Sequence, residues 1–102
     1  MYYVVSLTKA ITAAAAAILV DSGHLKWDTP LAEFLPEFRQ RGDEIGQQTT
    51  LVDVLSHRTG LTGTALWVQR RQKFMMPKDD TVRTATYLKS AIPFRQIFSY
   101  NN

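Results

Sequence analysis

The 102-residue sequence contains no cysteine. That excludes a disulfide frame and any thiolate metal site, and it leaves the redox compartment open. Histidine is almost as scarce: His24 and His57 are the only two. With no cluster at ligand spacing, a zinc site is not expected, and no cofactor is called for. Long hydrophobic runs are also missing. The longest, Ala10 to Val20, falls short of the roughly 20 apolar residues that cross a bilayer, so no membrane span is expected in this segment. No basic residue precedes Lys9, and Val20-Asp21-Ser22-Gly23 is a poor cleavage site, so the run reads as a buried helix rather than a signal peptide. Charge of one sign is weak too. The net charge is +3, and only Arg70, Arg71 and Lys73 cluster. A nucleic-acid surface needs a denser stripe, so no nucleic-acid partner is expected.

What is present is typical of a globular chain: 45% hydrophobic and 21% charged residues, a length suited to one small domain or part of a larger one. Tyr2 to Val5 favour extended backbone leading into Ser6. From Ser6 to about Val20 the chain is rich in Ala, Ile and Leu without Gly or Pro, which favours helix. Ser6 stands where an N-cap or first-turn residue belongs, and Gly23 is a natural stop. The helix is apolar almost all round and calls for neighbours on several sides, more than 102 residues supply. Thr29-Pro30 opens a short helical piece from Leu31 to Phe34. Arg39 to Gln48 reads as loop. Thr50 and Asp53 form a capping-box pattern for a helix to about His57. A further helix is weakly signalled at Leu66 to Phe74, and Asp80 caps another from Thr81 to about Lys89. The expected fold class is mainly α, with short helices and long connections.

The chemistry starts at Ser6-Leu7-Thr8-Lys9. A serine hydroxyl needs a neighbouring group to take its proton, and three-residue spacing on a helix puts Ser6 and Lys9 on one face. A desolvated lysine can act as that base, and a charged one can stabilise a neighbouring phenolate instead. A helix start also favours developing negative charge. The bland reading of these four residues is a capping serine followed by a lysine that lies along the surface.

Four stretches in order resemble the β-lactamase-related serine hydrolases, which include class C β-lactamases, penicillin-binding DD-peptidases and esterases. Ser6 to Ala13 looks like the family's nucleophile helix. Gly23 to Leu31 is similar to the segment that follows it. Leu55-Ser56-His57-Arg58-Thr59-Gly60-Leu61 resembles its Leu-Leu-Ser-His-x-Thr-Gly-Leu stretch. Phe98-Ser99-Tyr100-Asn101-Asn102 resembles its tyrosine-x-asparagine motif. The resemblance implies that Ser6 forms an acyl-enzyme, Lys9 holds the proton network, Tyr100 is the general base, and Asn102 hydrogen-bonds Lys9 and the substrate. One oxyanion donor would be the Ser6 amide. It further implies a small-molecule amide or ester substrate, namely a β-lactam, a D-Ala peptide or an ester, and a periplasmic or secreted setting. Oligomeric state stays open.

Two departures stand out. Val5 occupies a place where the family has a small residue. The family's third motif, Lys-Thr-Gly or His-x-Gly on a strand, is absent, as is most of its sheet. Residues 1–102 are therefore expected to be a partial domain, nucleophile helix 6–20 plus helical subdomain, of an α/β fold, and inactive when isolated. The alternatives are a non-catalytic binding or assembly member, a truncated relic, or an unrelated complete helical protein. His24, His57, Asp28 and Asp53 also invite a Ser-His-Asp reading, which only geometry can decide. The simplest role for His57 is a helix-end residue bonding the Arg58 to Gly60 turn. That for Trp27, Phe34 and Phe38 is packing.

Overall fold

The structure, a computed structural model, describes residue 2 and residues 4–62 and 77–101. Helices dominate, and among the described residues there is no strand, only the isolated bridges Pro30 with Thr50 and Leu61 with Ser90. The weakly signalled helix at 66–74, with Trp67, Phe74 and the Arg70, Arg71, Lys73 group, lies outside the described residues.

Helix α1 runs Thr8–Asp21 and is entered through a 3-10 turn, Val5–Leu7. The extended entry expected from Tyr2 to Val5 is not what forms at its end. Val4 is in the right-handed helical region, and Val5 has φ 41°. Local β propensity is a weak preference that the helix entry overrides. At the other end Gly23 has φ 78°. Its amide bonds to the Val20 carbonyl at 3.0 Å, and the His24 amide bonds to that of Leu19 at 2.9 Å. This reciprocal pair satisfies the helix's last carbonyls, and it needs a left-handed residue, for which glycine has no steric penalty.

Helix α2 spans Leu31–Phe34. The stretch expected as loop, residues 39–48, is helical instead: a 3-10 helix covers Pro36–Arg41 and α3 covers Glu44–Gln48. Asp43 caps α3 by accepting from the Gly46 amide at 2.9 Å. The cap outweighs the low propensity of a single glycine. Helix α4, Leu51–Leu55, carries the full capping box. The Thr50 amide donates to Asp53 Oδ2 at 2.9 Å, and the Asp53 amide donates to Thr50 Oγ1 at 3.4 Å. Helix α5 is shorter than expected, Thr81–Ala85, after a 3-10 turn at Lys78–Asp80, and the Asp80 side chain makes no capping bond.

The core lies among α2 to α5, not around α1. Phe38, Ile45 and Leu61 are buried, with Leu31, Leu35, Ala85, Leu88 and Phe94 packed against them. Trp27 and Phe34, expected to pack in the core or between subdomains, are 39% and 44% exposed. In α1 only Ala16 is buried, while Ile11 and Ile18 are 66% and 68% exposed. The shortfall of neighbours anticipated for this apolar helix is thus plain among the described residues.

The remaining chain stitches residues 88–101 back onto the exit of α4. The Ala91 amide donates to Gly60 O at 3.1 Å and the Thr62 amide to Lys89 O at 2.9 Å. Gly60 has φ 73°, and a Cβ there would collide with the Ile92 carbonyl. Farther on, the Arg95 and Ser99 amides donate to Arg58 O and His57 O, each at 2.9 Å.

Candidate active site

The 3-10 turn before α1 presents Ser6, and the first turn of α1 presents Lys9. The Ser6 hydroxyl does not cap the helix. It lies 2.8 Å from the hydroxyl of Tyr100, 94 residues away in the chain. Lys9 Nζ approaches Ser6 Oγ at 3.5 Å, a long contact, and stands 5.0 Å from the centre of the Tyr100 ring. Ser6, Lys9 and Tyr100 therefore meet in one cluster. Asn102 lies outside the described residues.

The cluster is electrostatically biased toward ionising Tyr100. A hydrogen bond from Lys9 holds the phenol below its ordinary value, and the hydrogen bond with Ser6 adds to this. Slight desolvation opposes it, and the charge on Lys9 assists. A cation beside a phenol favours the phenolate, which is the form able to take a proton from serine.

Val5 places a β-branched residue in the left-handed region immediately before Ser6. L residues other than glycine enter that region at a cost of about 1–2 kcal/mol. The side chain is 75% exposed and recovers little through packing.

Tyr100 is held by long-range ties. Its ring lies against that of His57, with centroids 4.6 Å apart and planes tilted by 35°. The Asn101 amide donates to His57 Nδ1 at 3.2 Å, and Asn101 Nδ2 donates to the Leu61 carbonyl at 2.7 Å. Below this, Arg95 grips Asp53 with two bonds, Nε to Oδ1 at 2.9 Å and Nη2 to Oδ2 at 2.8 Å, and also donates to Gln48 O. Burial raises the Asp53 carboxyl, but hydrogen bonds from Arg95 and Thr50 outweigh it and leave the carboxyl below its ordinary value.

Two residues of the Ser-His-Asp reading, His57 and Asp53, are thereby engaged elsewhere. His57 contacts Tyr100 and Asn101 rather than bonding the Arg58 to Gly60 turn as expected, and Asp53 serves Thr50 and Arg95. His24 is exposed, with Nδ1 2.8 Å from Ser22 Oγ. Sequence reasoning missed Arg95 and the contact of His57 with Tyr100, since neither has a local signal. Among the described residues no group of three or more His, Asp or Glu side chains is arranged to hold a metal, and no helix is long and apolar enough to cross a membrane.

Comparison with known proteins adds a family. Unguisins hydrolase ungD of Aspergillus violaceofuscus is 34% identical over 110 residues, covering 100% of this chain and 19% of that protein. Unguisins hydrolase ungD' of Aspergillus campestris is 30% identical over 116 residues, covering 100% of this chain and 20% of that protein. Penicillin-binding protein 4 of Amycolatopsis lactamdurans is 38% identical over 58 residues, 57% of this chain and 15% of that protein. The chain thus spans a fifth or less of the length of these relatives. No solved structure matches it. The family model described as beta-lactamase matches residues 1–102, and with the hydrolase and penicillin-binding relatives it establishes that this chain belongs to the beta-lactamase family.

Proposed function

We propose that the protein is a serine hydrolase acting on amide or ester bonds, among them β-lactams, D-Ala peptides and esters, through an acyl-enzyme on Ser6. The observation that carries this reading is the 2.8 Å contact of Ser6 Oγ with the Tyr100 hydroxyl beside Lys9. Relatives named as a hydrolase and as a penicillin-binding protein support it.

In the proposed sequence Tyr100 accepts the Ser6 proton as Oγ attacks the substrate carbonyl carbon. The negative charge passes to the carbonyl oxygen, and the Ser6 amide is one donor toward it. Collapse breaks the bond to the leaving amine or alcohol, which takes the proton back from Tyr100. Water then attacks the acyl ester, again losing its proton to Tyr100, and Ser6 is released protonated. Lys9 keeps the phenolate form accessible throughout. Asn102 is proposed to bond Lys9 and the substrate.

The test is labelling of the full-length protein with a fluorophosphonate and a fluorescent penicillin, mapped by peptide mass spectrometry. Modification at Ser6, abolished in Ser6→Ala, is expected. Absence of label with both probes overturns the proposal. Among the described residues no strand runs beside Ser6 to offer a second oxyanion donor, so the 102-residue chain by itself is expected to turn over little or nothing. A rapid stoichiometric burst with an activated ester, dependent on Ser6, contradicts that expectation. The strained Val5 favours a second reading, a non-catalytic binding member of the family. Penicillin binding that is reversible and leaves Ser6 unmodified is its signature.

A further inference from the structure

His57 has no step in the chemistry above, yet it touches each residue from Phe98 to Asn101. Its ring meets Phe98 edge-on at 5.6 Å and lies over Tyr100 at 4.6 Å. Its carbonyl accepts the Ser99 amide, and its Nδ1 accepts the Asn101 amide. We propose that His57 is a positioning residue that holds the Tyr100 phenol against Ser6, through its ring contact and through an Nδ1 lone pair that accepts the Asn101 amide. The inference rests on reading Ser6, Lys9 and Tyr100 as acyl-transfer machinery.

The tautomer follows from the donor. A backbone amide can only donate, so Nδ1 must be unprotonated and the ring proton must sit on Nε2. The backbone of His57 has φ 55°, a conformation uncommon for residues other than glycine, although histidine enters it more readily than most. It lets one residue present its carbonyl to Ser99 and its ring to Tyr100 and Asn101. Protonation at Nδ1 would set two N–H groups against each other and release the Asn101 amide. It would also put a second cation beside a ring that already faces Lys9 Nζ at 5.0 Å. Among the described residues, the ionisable groups seen near His57 are Tyr100, whose ring lies over it, Lys9, which lines the same cavity, and Arg58, next in the chain.

The experiment uses the full-length protein, with fluorophosphonate labelling rates at Ser6 measured at neutral pH. His57→Phe keeps a stacking ring but has no acceptor, and its labelling is expected to fall about tenfold. His57→Asn keeps an acceptor, tolerates the backbone, and is expected to recover most of that loss. A ¹³Cζ-tyrosine placed at position 100 gives a readout independent of activity. Its signal is expected to move in His57→Phe and to return most of the way to the wild-type position in His57→Asn. The proposal is overturned if His57→Phe labels as fast as the wild type, if His57→Asn recovers none of the loss, or if the Tyr100 carbon signal is the same in His57→Phe as in the wild type. A wild type that takes no label refutes the acyl-transfer reading instead, and the Tyr100 signal then decides the role of His57 alone.

Discussion

The two halves of the Ser6–Lys9–Tyr100 cluster are held in unlike ways. Ser6 and Lys9 are neighbours because three-residue spacing on one helix makes them so. Tyr100 arrives from 94 residues away, on a stretch whose place depends on His57, Leu61, Arg58 and the Arg95–Asp53 pair. The local half is cheap to specify and carries little of the fold, since α1 buries only Ala16. The distant half is part of the fold itself. Chemistry and stability should therefore separate on one side of the cluster and stay coupled on the other.

Ser6→Ala should break the local half most deeply. It is expected to lower acylation at least about a thousandfold while shifting unfolding free energy by less than about 0.5 kcal/mol, as read by labelling and urea unfolding of the full-length protein. Lys9→Ala is expected to reduce acylation by about 10²–10⁴. It should also move the Tyr100 titration back up, because the Lys9 hydrogen bond is the leading cause of its lowering. An unmoved Tyr100 titration would separate Lys9 from the phenol.

Asp53→Ala tests the distant half. It removes the capping box and frees Arg95, and should cost about 2–3 kcal/mol in urea unfolding together with a loss of acylation, although Asp53 touches neither Ser6 nor substrate. The same carboxylate has a pH signature. Its native value lies below the ordinary 3.8, so its contribution is complete above about pH 4 and is lost as pH falls through the lowered value. Asp53→Asn should remove that part of the acid limb of stability. The smallest effect is expected at Val5. Val5→Gly relieves a left-handed valine and should stabilise by about 0.5–1 kcal/mol, less than the strain because glycine also loosens the unfolded chain. A destabilised Val5→Gly would mean that the valine is held by packing on the α1 side.

Legibility in the sequence divides along the same line. Helix α1, its stop at Gly23, and the Thr50–Asp53 capping box are local signals, and each was readable from neighbouring residues. The stretch 39–48 was misread because Gly42 and Gly46 look like loop residues. Gly42 merely ends the 3-10 helix in a left-handed conformation, and Gly46 lies inside α3, where a Cβ would come within 2.7 Å of the Arg41 side chain. Asp43 followed by Glu44 was the signal that could have found that helix. Ser6, Lys9 and Tyr100 were singled out on motif resemblance. That His57 would face Tyr100, or that Arg95 would reach Asp53, depends on pairings 43 and 42 residues apart, and no local pattern encodes them.

The alanines of α1 have one more consequence. A helix flank made of methyl groups offers low relief, with few ridges to lock into a neighbour's grooves. The described hydrogen bonds that tie the helix to the rest of the chain lie at its two ends. One is the phenol contact at Ser6. The other is the Leu19 carbonyl, which accepts the amides of both His24 and Leu25.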